Sequence, residues 1–145
     1  MSKMPPKAPV PPVYAHLPQY AFGHTKETAE ALCALVLEGK KTATSSALYH
    51  YEDDPVPEPG DCSVLLDGTG RPRCVIECVS AEVVPFDEID AQFASDEGEG
   101  DLSLAHWRKA RKEAFEREGY FAPDMLVVCE SFRIVERLDF KRVMK

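Results

Sequence analysis

Hydrophobic residues recur at helical spacing in two parts of the sequence. Leu32, Leu35 and Val36 predict one buried stripe on a helix over residues 26–38. Gly39 follows at the position where a helix commonly ends. The segment after Gly39 should therefore leave the end of a helix and begin a new element.

A second long helix is predicted over residues 102–118. Leu104, Trp107 and Ala110 fall on one face of this stretch, and such a face packs against a core. Gly119 ends the pattern. The periodicity favours Trp107 as a core residue, although an aromatic side chain could instead line a pocket and stack a base.

Shorter apolar runs predict β-strands at residues 62–66, 73–84 and 125–138, the last as one strand or a pair. Asp67-Gly68-Thr69-Gly70 between the first two is a turn of the hairpin kind. Residues 86–94 are interpreted as a short helix. These elements predict an α+β domain, a small β-barrel of five to six strands with two to three flanking helices.

The first 18 residues differ from the rest of the chain because they hold six of its twelve prolines. Proline lacks a backbone donor and favours extended, solvated chain. We therefore predict a flexible tail over residues 1–18 and a single folded domain over residues 19–145.

The net charge of −8 bears on the kind of partner. Proteins that grip a nucleic-acid backbone usually present a basic face, so this charge favours a small substrate or a short single strand held in a pocket. No apolar run is long enough to cross a membrane, and the N-terminus has no apolar segment of a secretory signal. We expect a cytoplasmic protein, with no protein partner indicated.

The five cysteines do not indicate a disulfide framework or a metal site. Their number is odd and no spacing repeats. Cys74 and Cys78 would lie about 13 Å apart on one strand, which is too far to share a zinc ion. The sequence also lacks the glycine-rich nucleotide loops and the common hydrolase motifs, so no cofactor and no metal are predicted.

Candidate chemistry is concentrated in two segments. Gly39-Lys40-Lys41-Thr42-Ala43-Thr44-Ser45-Ser46 provides lysines and hydroxyl groups, and Asp96-Glu97-Gly98-Glu99-Gly100-Asp101 provides carboxylates. A lysine that loses its proton, a hydroxyl that attacks and a carboxylate that moves a proton are sufficient for hydrolysis.

Each of these residues also has an ordinary structural interpretation. Lysines are favourable at the end of a helix, threonines are common in strands, and acidic residues before a helix complement its dipole. On a regular strand, Thr44 would point away from Lys41. Tyr49 could equally be a pocket wall or a residue of the barrel.

The order and spacing of these motifs resemble the ASCH domain family of the PUA-like superfamily. The resemblance covers residues 20–138. It rests on Gly39-Lys40-Lys41-Thr42-Ala43-Thr44, on the Pro59-Gly60-Asp61 and Asp67-Gly68 segments, and on the run from Phe93 to Arg108.

The resemblance implies a small β-barrel with a cleft that binds RNA or a modified nucleoside. Some members of the family remove an acyl group from N4-acylcytidine, and others are described as ribonucleases acting on single-stranded RNA. In the amidohydrolase members the proposed catalytic set is a Lys, a Thr and a Glu, which correspond here to Lys41, Thr44 and Glu97, with Glu99 as a rival to Glu97. The E-G-E-G-D pattern of this chain departs from those members and is typical of a longer subgroup.

Three functions remain open. The first is amide hydrolysis, in which a neutral Lys41 deprotonates Thr44 or a water and Glu97 relays the proton to the leaving amine. The second is a ribonuclease, which needs basic residues around the cleft, such as Lys40, Lys41, Arg71, Arg108 or Arg133. The third is a binding module without catalysis. The predicted partner is a modified nucleoside or single-stranded RNA. The residues expected to bind it are Lys40, Thr42, Ser45, Tyr49, Glu99, Ser103, Trp107 and Arg108.

Overall fold

The computed structural model describes residues 10–138, in which a five-stranded mixed sheet is flanked by three α-helices. The strands are β1 (Gln19–Tyr20), β2 (Ala43–Ala47), β3 (Cys62–Leu66), β4 (Pro72–Pro85) and β5 (Leu126–Arg137). The helices are α1 (Lys26–Leu37), α2 (Ala91–Asp96) and α3 (Leu104–Arg117). The predicted α+β class, with five strands and three helices, is confirmed.

The sheet is open, so the prediction of a barrel is wrong. Its strand order is β1-β3-β4-β5-β2; β1 pairs in parallel with β3, and every other pairing is antiparallel. Irregular register at Val75/Ile76 and at Cys78/Ser80 interrupts the long strand β4. Within residues 10–138 no pairing joins the edge strands β1 and β2, which closure of a barrel requires.

Helix α1 begins and ends as its sequence predicts. The Thr25 side chain accepts a hydrogen bond from the Thr28 backbone N–H at the N-cap, and Gly39 adopts a positive φ of 79° just after the helix. Leu32, Cys33 and Val36 are buried and pack in the first core cluster with residues of β3, β4 and β5. The segment that follows the helix therefore begins at the edge of the core.

Helices α2 and α3 enclose a second core cluster. The Asp90 side chain caps α2 and the Ser103 side chain caps α3, each by accepting a backbone N–H bond. Phe86, Trp107 and Phe115 fill this cluster together with residues of β2 and β5. The helix predicted over residues 86–94 is instead a 3₁₀ turn at Phe86–Glu88 followed by α2, because the chain starts a new helix at the Asp90 cap.

Part of the predicted N-terminal tail is packed on the domain. Pro12–Tyr14 forms a 3₁₀ turn, and Val10, Tyr14 and Leu17 lie against a third core cluster, which includes Ala21 and Val64. Residues 1–9 of the predicted tail lie outside the described residues. The division into a tail and a domain at residue 18 stays a prediction.

All five cysteines are free thiols, and four of them are buried. None of the helices in residues 10–138 has the length and hydrophobicity needed to cross a membrane.

Candidate functional site

The backbone brings the two chemistry-bearing segments into direct contact. The Thr42 N–H donates to the Asp96 carbonyl at 2.8 Å. Gly98 has a positive φ of 72°, and a Cβ atom there would lie 2.2 Å from the Lys40 carbonyl oxygen. Only glycine fits this approach. The close packing sets Lys41 beside Glu97, as the resemblance implies.

Lys41 is buried and fully engaged as a hydrogen-bond donor. It is 1% exposed, and its Nζ lies 2.8 Å from the Ala43 carbonyl, 3.0 Å from Glu97 Oε1 and 2.9 Å from Glu99 Oε2. Its Nζ also lies 5.5 Å from the centre of the Phe22 ring. An ammonium group has three N–H donors, so these three acceptors satisfy it.

Glu97 is completely buried and accepts a hydrogen bond from four side chains. Its Oε1 accepts from Lys41 and Arg111, both at 3.0 Å, and its Oε2 accepts from Ser45 at 2.5 Å and from Trp107 Nε1 at 2.6 Å. Burial opposes its charge, but the two cations and the two neutral donors outweigh it and lower the pKa of Glu97 to about 2. Glu97 is therefore an anion at neutral pH.

Arg111 completes a cluster of four charges that sequence reasoning missed. Its Nη2 lies 3.0 Å from Glu97 Oε1 and 2.6 Å from Glu99 Oε2. Lys41 and Arg111 balance Glu97 and Glu99, so the cluster carries no net charge. We refer to these four residues as the ion cluster. Arg111 follows Trp107 by four positions on α3, and this helical spacing is the signal that would have placed it on the same face.

The two hydroxyl residues of β2 lie on opposite faces of the sheet. Ser45 faces the ion cluster, where it donates to Glu97. Thr44 is its neighbour on a regular strand, so its side chain points the other way, together with Ser46. Within residues 10–138 no hydrogen bond joins the Thr44 hydroxyl to Lys41 or Glu97.

A cleft of about 910 Å³ lies on the Thr44 side of the sheet. Ser46 of β2 and Glu130 of β5 both line it, and Glu130 is the direct cross-strand partner of Thr44. Because directly opposed residues project on the same face, the Thr44 side chain lies on this side. The other residues that line the cleft are His16, Leu17, Pro18, Tyr20, His50, Tyr51, Asp54, Pro55, Pro57, Gly60, Asp61, Cys62 and Ser63.

Three of the predicted binding residues serve local structure near the ion cluster. The exposed Lys40 pairs with Glu38, and the Thr42 hydroxyl donates to the Asp96 carbonyl at 3.4 Å. Ser103 caps α3. None of the three is among the described residues that line the 910 Å³ cleft.

The larger predicted binding residues also lie away from the cleft. Trp107 is buried and bonded to Glu97. Arg108 donates to the backbone carbonyls of Asp87 and Ile89. Tyr49 bonds to Glu118 and borders a smaller depression of about 450 Å³.

Within the part of the chain that the structure describes, no three His, Cys, Asp or Glu residues are grouped closely enough to hold a metal ion. The carboxylates of the ion cluster are already occupied by Lys41 and Arg111.

A family model and a solved structure carry the same family description. The family model of the ASCH domain matches residues 18–136. A protein from Enterococcus faecalis has a similar solved structure, with a TM-score of 0.80 and 32% identity over 86% of this chain and 80% of that one. The ASCH domain from Lactobacillus crispatus has a TM-score of 0.77 and 33% identity over 86% of this chain and 84% of its own.

A third structure is more distant. The hypothetical protein PH0355 has a TM-score of 0.52 and 15% identity over 81% of this chain and 99% of that one, which shows a similar fold alone. No curated protein matches the sequence.

Proposed function

Because the chain belongs to the ASCH domain family, we propose that its cleft binds a modified nucleoside, free or within a short single-stranded RNA, and that it hydrolyses the acyl amide of N4-acylcytidine. The observation that carries the proposal is the lining of the cleft. Among the described residues that form it, none is Lys or Arg, whereas aromatic, hydroxyl and carboxyl side chains are frequent.

This lining fits a nucleoside in size and chemistry. A volume of about 910 Å³ lies within the range of small-molecule pockets. Tyr20, Tyr51 and His50 offer flat faces on which a base can stack, and Ser46 and Ser63 offer hydroxyl groups. A cleft that gripped the phosphate backbone would present cations instead.

The basic residues that a ribonuclease would use are engaged or lie outside the cleft. Arg133 pairs with Glu77, Lys40 pairs with Glu38, and Arg108 donates to backbone carbonyls. Lys41 is within the ion cluster. We therefore favour amide hydrolysis over phosphodiester cleavage, and binding without turnover becomes an outcome of the test.

In the proposed reaction Thr44 is the nucleophile, and its proton passes to a group on the cleft side of β2, because Lys41 lies with the ion cluster on the other side. Thr44 is buried and is not itself among the residues that line the cleft, but it is paired with Glu130 and lies on the same face of β2 as Ser46, both of which line it.

Glu97 has a different role in this proposal from the one expected from the sequence. Four donors hold it as an anion, and its pKa of about 2 leaves no proton on it to relay at neutral pH. We assign it a structural role as the buried anion of the ion cluster. The proton that the leaving amine requires must come from another group.

The decisive experiment is chromatographic measurement of cytidine released from N4-acetylcytidine by the wild type, Thr44→Val and Thr44→Ser. We expect turnover by the wild type, partial turnover by Thr44→Ser and a loss of roughly 1,000-fold or more in Thr44→Val. Valine keeps the shape of threonine and the β-branch, so thermal unfolding should show that the variant is folded.

Two outcomes would contradict the proposal. Equal turnover by Thr44→Val and the wild type would remove Thr44 as the nucleophile. No release by the wild type at high enzyme concentration would exclude this hydrolase activity. Retained cytidine binding in that case would identify a binding module.

A further inference from the structure

Glu130 is a buried carboxyl group in the wall of the cleft that pairs with no cation among residues 10–138. It is 7% exposed and lines the cleft from β5. None of the ion pairs within residues 10–138 includes it. Buried carboxylates are normally paired, so a carboxyl left without a cation beside an open cleft points to a ligand.

The groups around Glu130 also favour its neutral form. Burial raises its pKa, the Cys78 thiol partly opposes this by donating a hydrogen bond, and the nearby charge of Asp61 raises the pKa further. Thr44 is paired with Glu130 across β2 and β5. A negative charge on Glu130 raises the pKa of Tyr20 and of Tyr51, so both tyrosines are close to it. The remaining titratable groups of the cleft are His16, His50, Asp54 and Cys62.

We propose that Glu130 binds the edge of the cytosine base and delivers the proton that the leaving amine requires. This inference rests on the proposed function for its second half. A neutral carboxyl group offers one O–H donor and one carbonyl acceptor. N4-acylcytidine presents the complementary pair, the N3 acceptor and the N4–H donor, so the two edges form two parallel hydrogen bonds.

The reaction balances with one water. The hydroxyl of water ends on the acyl carbon, and its remaining hydrogen replaces the acyl group on the cytosine amine. As Thr44 attacks, its proton passes to one oxygen of Glu130 while the other oxygen gives its proton to a base nitrogen, and the electron pair of the breaking C–N bond moves to the base. When water then releases the acyl group from Thr44, one proton of the water passes to Glu130 and the proton on its other oxygen returns to Thr44.

The position of Glu130 opposite Thr44 supports both roles. Directly opposed residues on neighbouring strands have Cβ atoms about 5 Å apart. A base held by Glu130 would therefore carry its N4-acyl group close to the Thr44 hydroxyl. Glu97 lacks this placement, because it is bonded to Ser45 on the other face of β2.

The test compares Glu130→Gln, Glu130→Ala and the control Glu82→Gln. Glutamine keeps a donor and an acceptor but transfers no proton, and Glu82 is exposed on the adjacent strand β4 outside the cleft lining. Binding of cytidine is measured by calorimetry from pH 5 to pH 9, and turnover of N4-acetylcytidine is measured separately.

We expect Glu130→Gln to bind cytidine within about 3-fold of the wild type at pH 5 and to lose roughly 100-fold or more of its turnover. Glu130→Ala should weaken binding about 10-fold. Wild-type binding should weaken as the pH rises and Glu130 ionises, whereas Glu130→Gln should show no such change. Glu82→Gln should match the wild type.

The outcomes separate this inference from the proposed function. Wild-type turnover in Glu130→Gln would overturn proton delivery, and wild-type cytidine binding in Glu130→Ala would overturn recognition of the base. If the wild type hydrolyses nothing but its cytidine binding depends on pH through Glu130, the hydrolase proposal fails and the recognition role stands. A wild type that does not bind cytidine overturns the Glu130 inference.

Discussion

The two faces of strand β2 border buried carboxyl groups in opposite situations. On one face Glu97 has two cations and two neutral donors around it. On the other face Glu130 has a thiol donor and a neighbouring acid, and it forms none of the ion pairs within residues 10–138. The pKa of Glu97 is lowered, whereas the pKa of Glu130 is raised.

This difference distinguishes a carboxyl group that is buried as part of the stable fold from one that is buried where it can act on a ligand. A carboxylate surrounded by donors stabilises the fold only if the whole set is intact, and it has little freedom to exchange protons. A carboxyl without a cation costs stability when it ionises, but it can exchange a proton with a ligand. The cleft side is therefore where we place the chemistry.

The largest effect should come from Glu97→Gln. It leaves Lys41 and Arg111 buried with one carboxylate between them, and breaking a buried ion pair costs about 3–5 kcal/mol. Urea unfolding measures this loss. Glu99→Gln, at a more exposed position, should cost less, and the exposed Glu113→Gln on α3 should change little. A loss below about 1 kcal/mol in Glu97→Gln would contradict the structural role of the ion cluster.

The same residue should control unfolding in acid. The pKa of Glu97 falls from an ordinary 4.5 to about 2 in the folded state. Its contribution to stability is then complete above pH 4.5 and is lost as the pH falls toward 2. The free energy of unfolding, measured from pH 6 to pH 2, should decrease more steeply in the wild type than in Glu97→Gln. Parallel curves would show that Glu97 does not contribute this dependence.

Adjacent hydroxyl groups on β2 provide a finer test. Ser45→Ala removes a donor to the buried Glu97 and should cost about 1.5–3 kcal/mol. Thr44→Val should change stability by less than about 1 kcal/mol, because no hydrogen bond within residues 10–138 joins Thr44 to the ion cluster. Paired urea titrations would give both values, and equal losses would show that the two faces of β2 do not differ in this way.

The smallest effect should be a stabilisation by Glu130→Gln. A raised pKa means that the folded state holds its proton more tightly than the unfolded state, so wild-type stability falls as the pH rises above the ordinary value of 4.5. Glutamine does not ionise, so the melting temperature of Glu130→Gln should exceed that of the wild type at pH 8. The difference between the two melting temperatures should become smaller toward pH 4. A lower melting temperature at pH 8 would contradict this.

Local patterns were sufficient to predict most of the secondary structure. The first helix was predicted over residues 26–38 and spans Lys26–Leu37, and the strand over residues 62–66 is β3. These elements are set by apolar spacing, caps and turns that lie within a few residues of one another. The two-residue strand β1 was missed, because its pairing with β3 depends on a long-range contact.

The candidate site was only partly predictable for the same reason. Family resemblance related Lys41 to Glu97, and strand alternation predicted that Thr44 would point away from Lys41. Glu130 had one local signal, an acid inside the apolar run of β5. Its place in a cleft depends on β1, the loop before β3 and the turn after β2 coming together, which no local pattern encodes.

The alternation along β2 has a consequence for how such a domain diversifies. Positions 44 and 46 form one side of the strand, and positions 43, 45 and 47 form the other. A substitution at position 46 changes the wall of the cleft, whereas a substitution at position 45 removes a donor to the buried Glu97. A library randomised at position 46 should therefore retain more folded variants than one randomised at position 45.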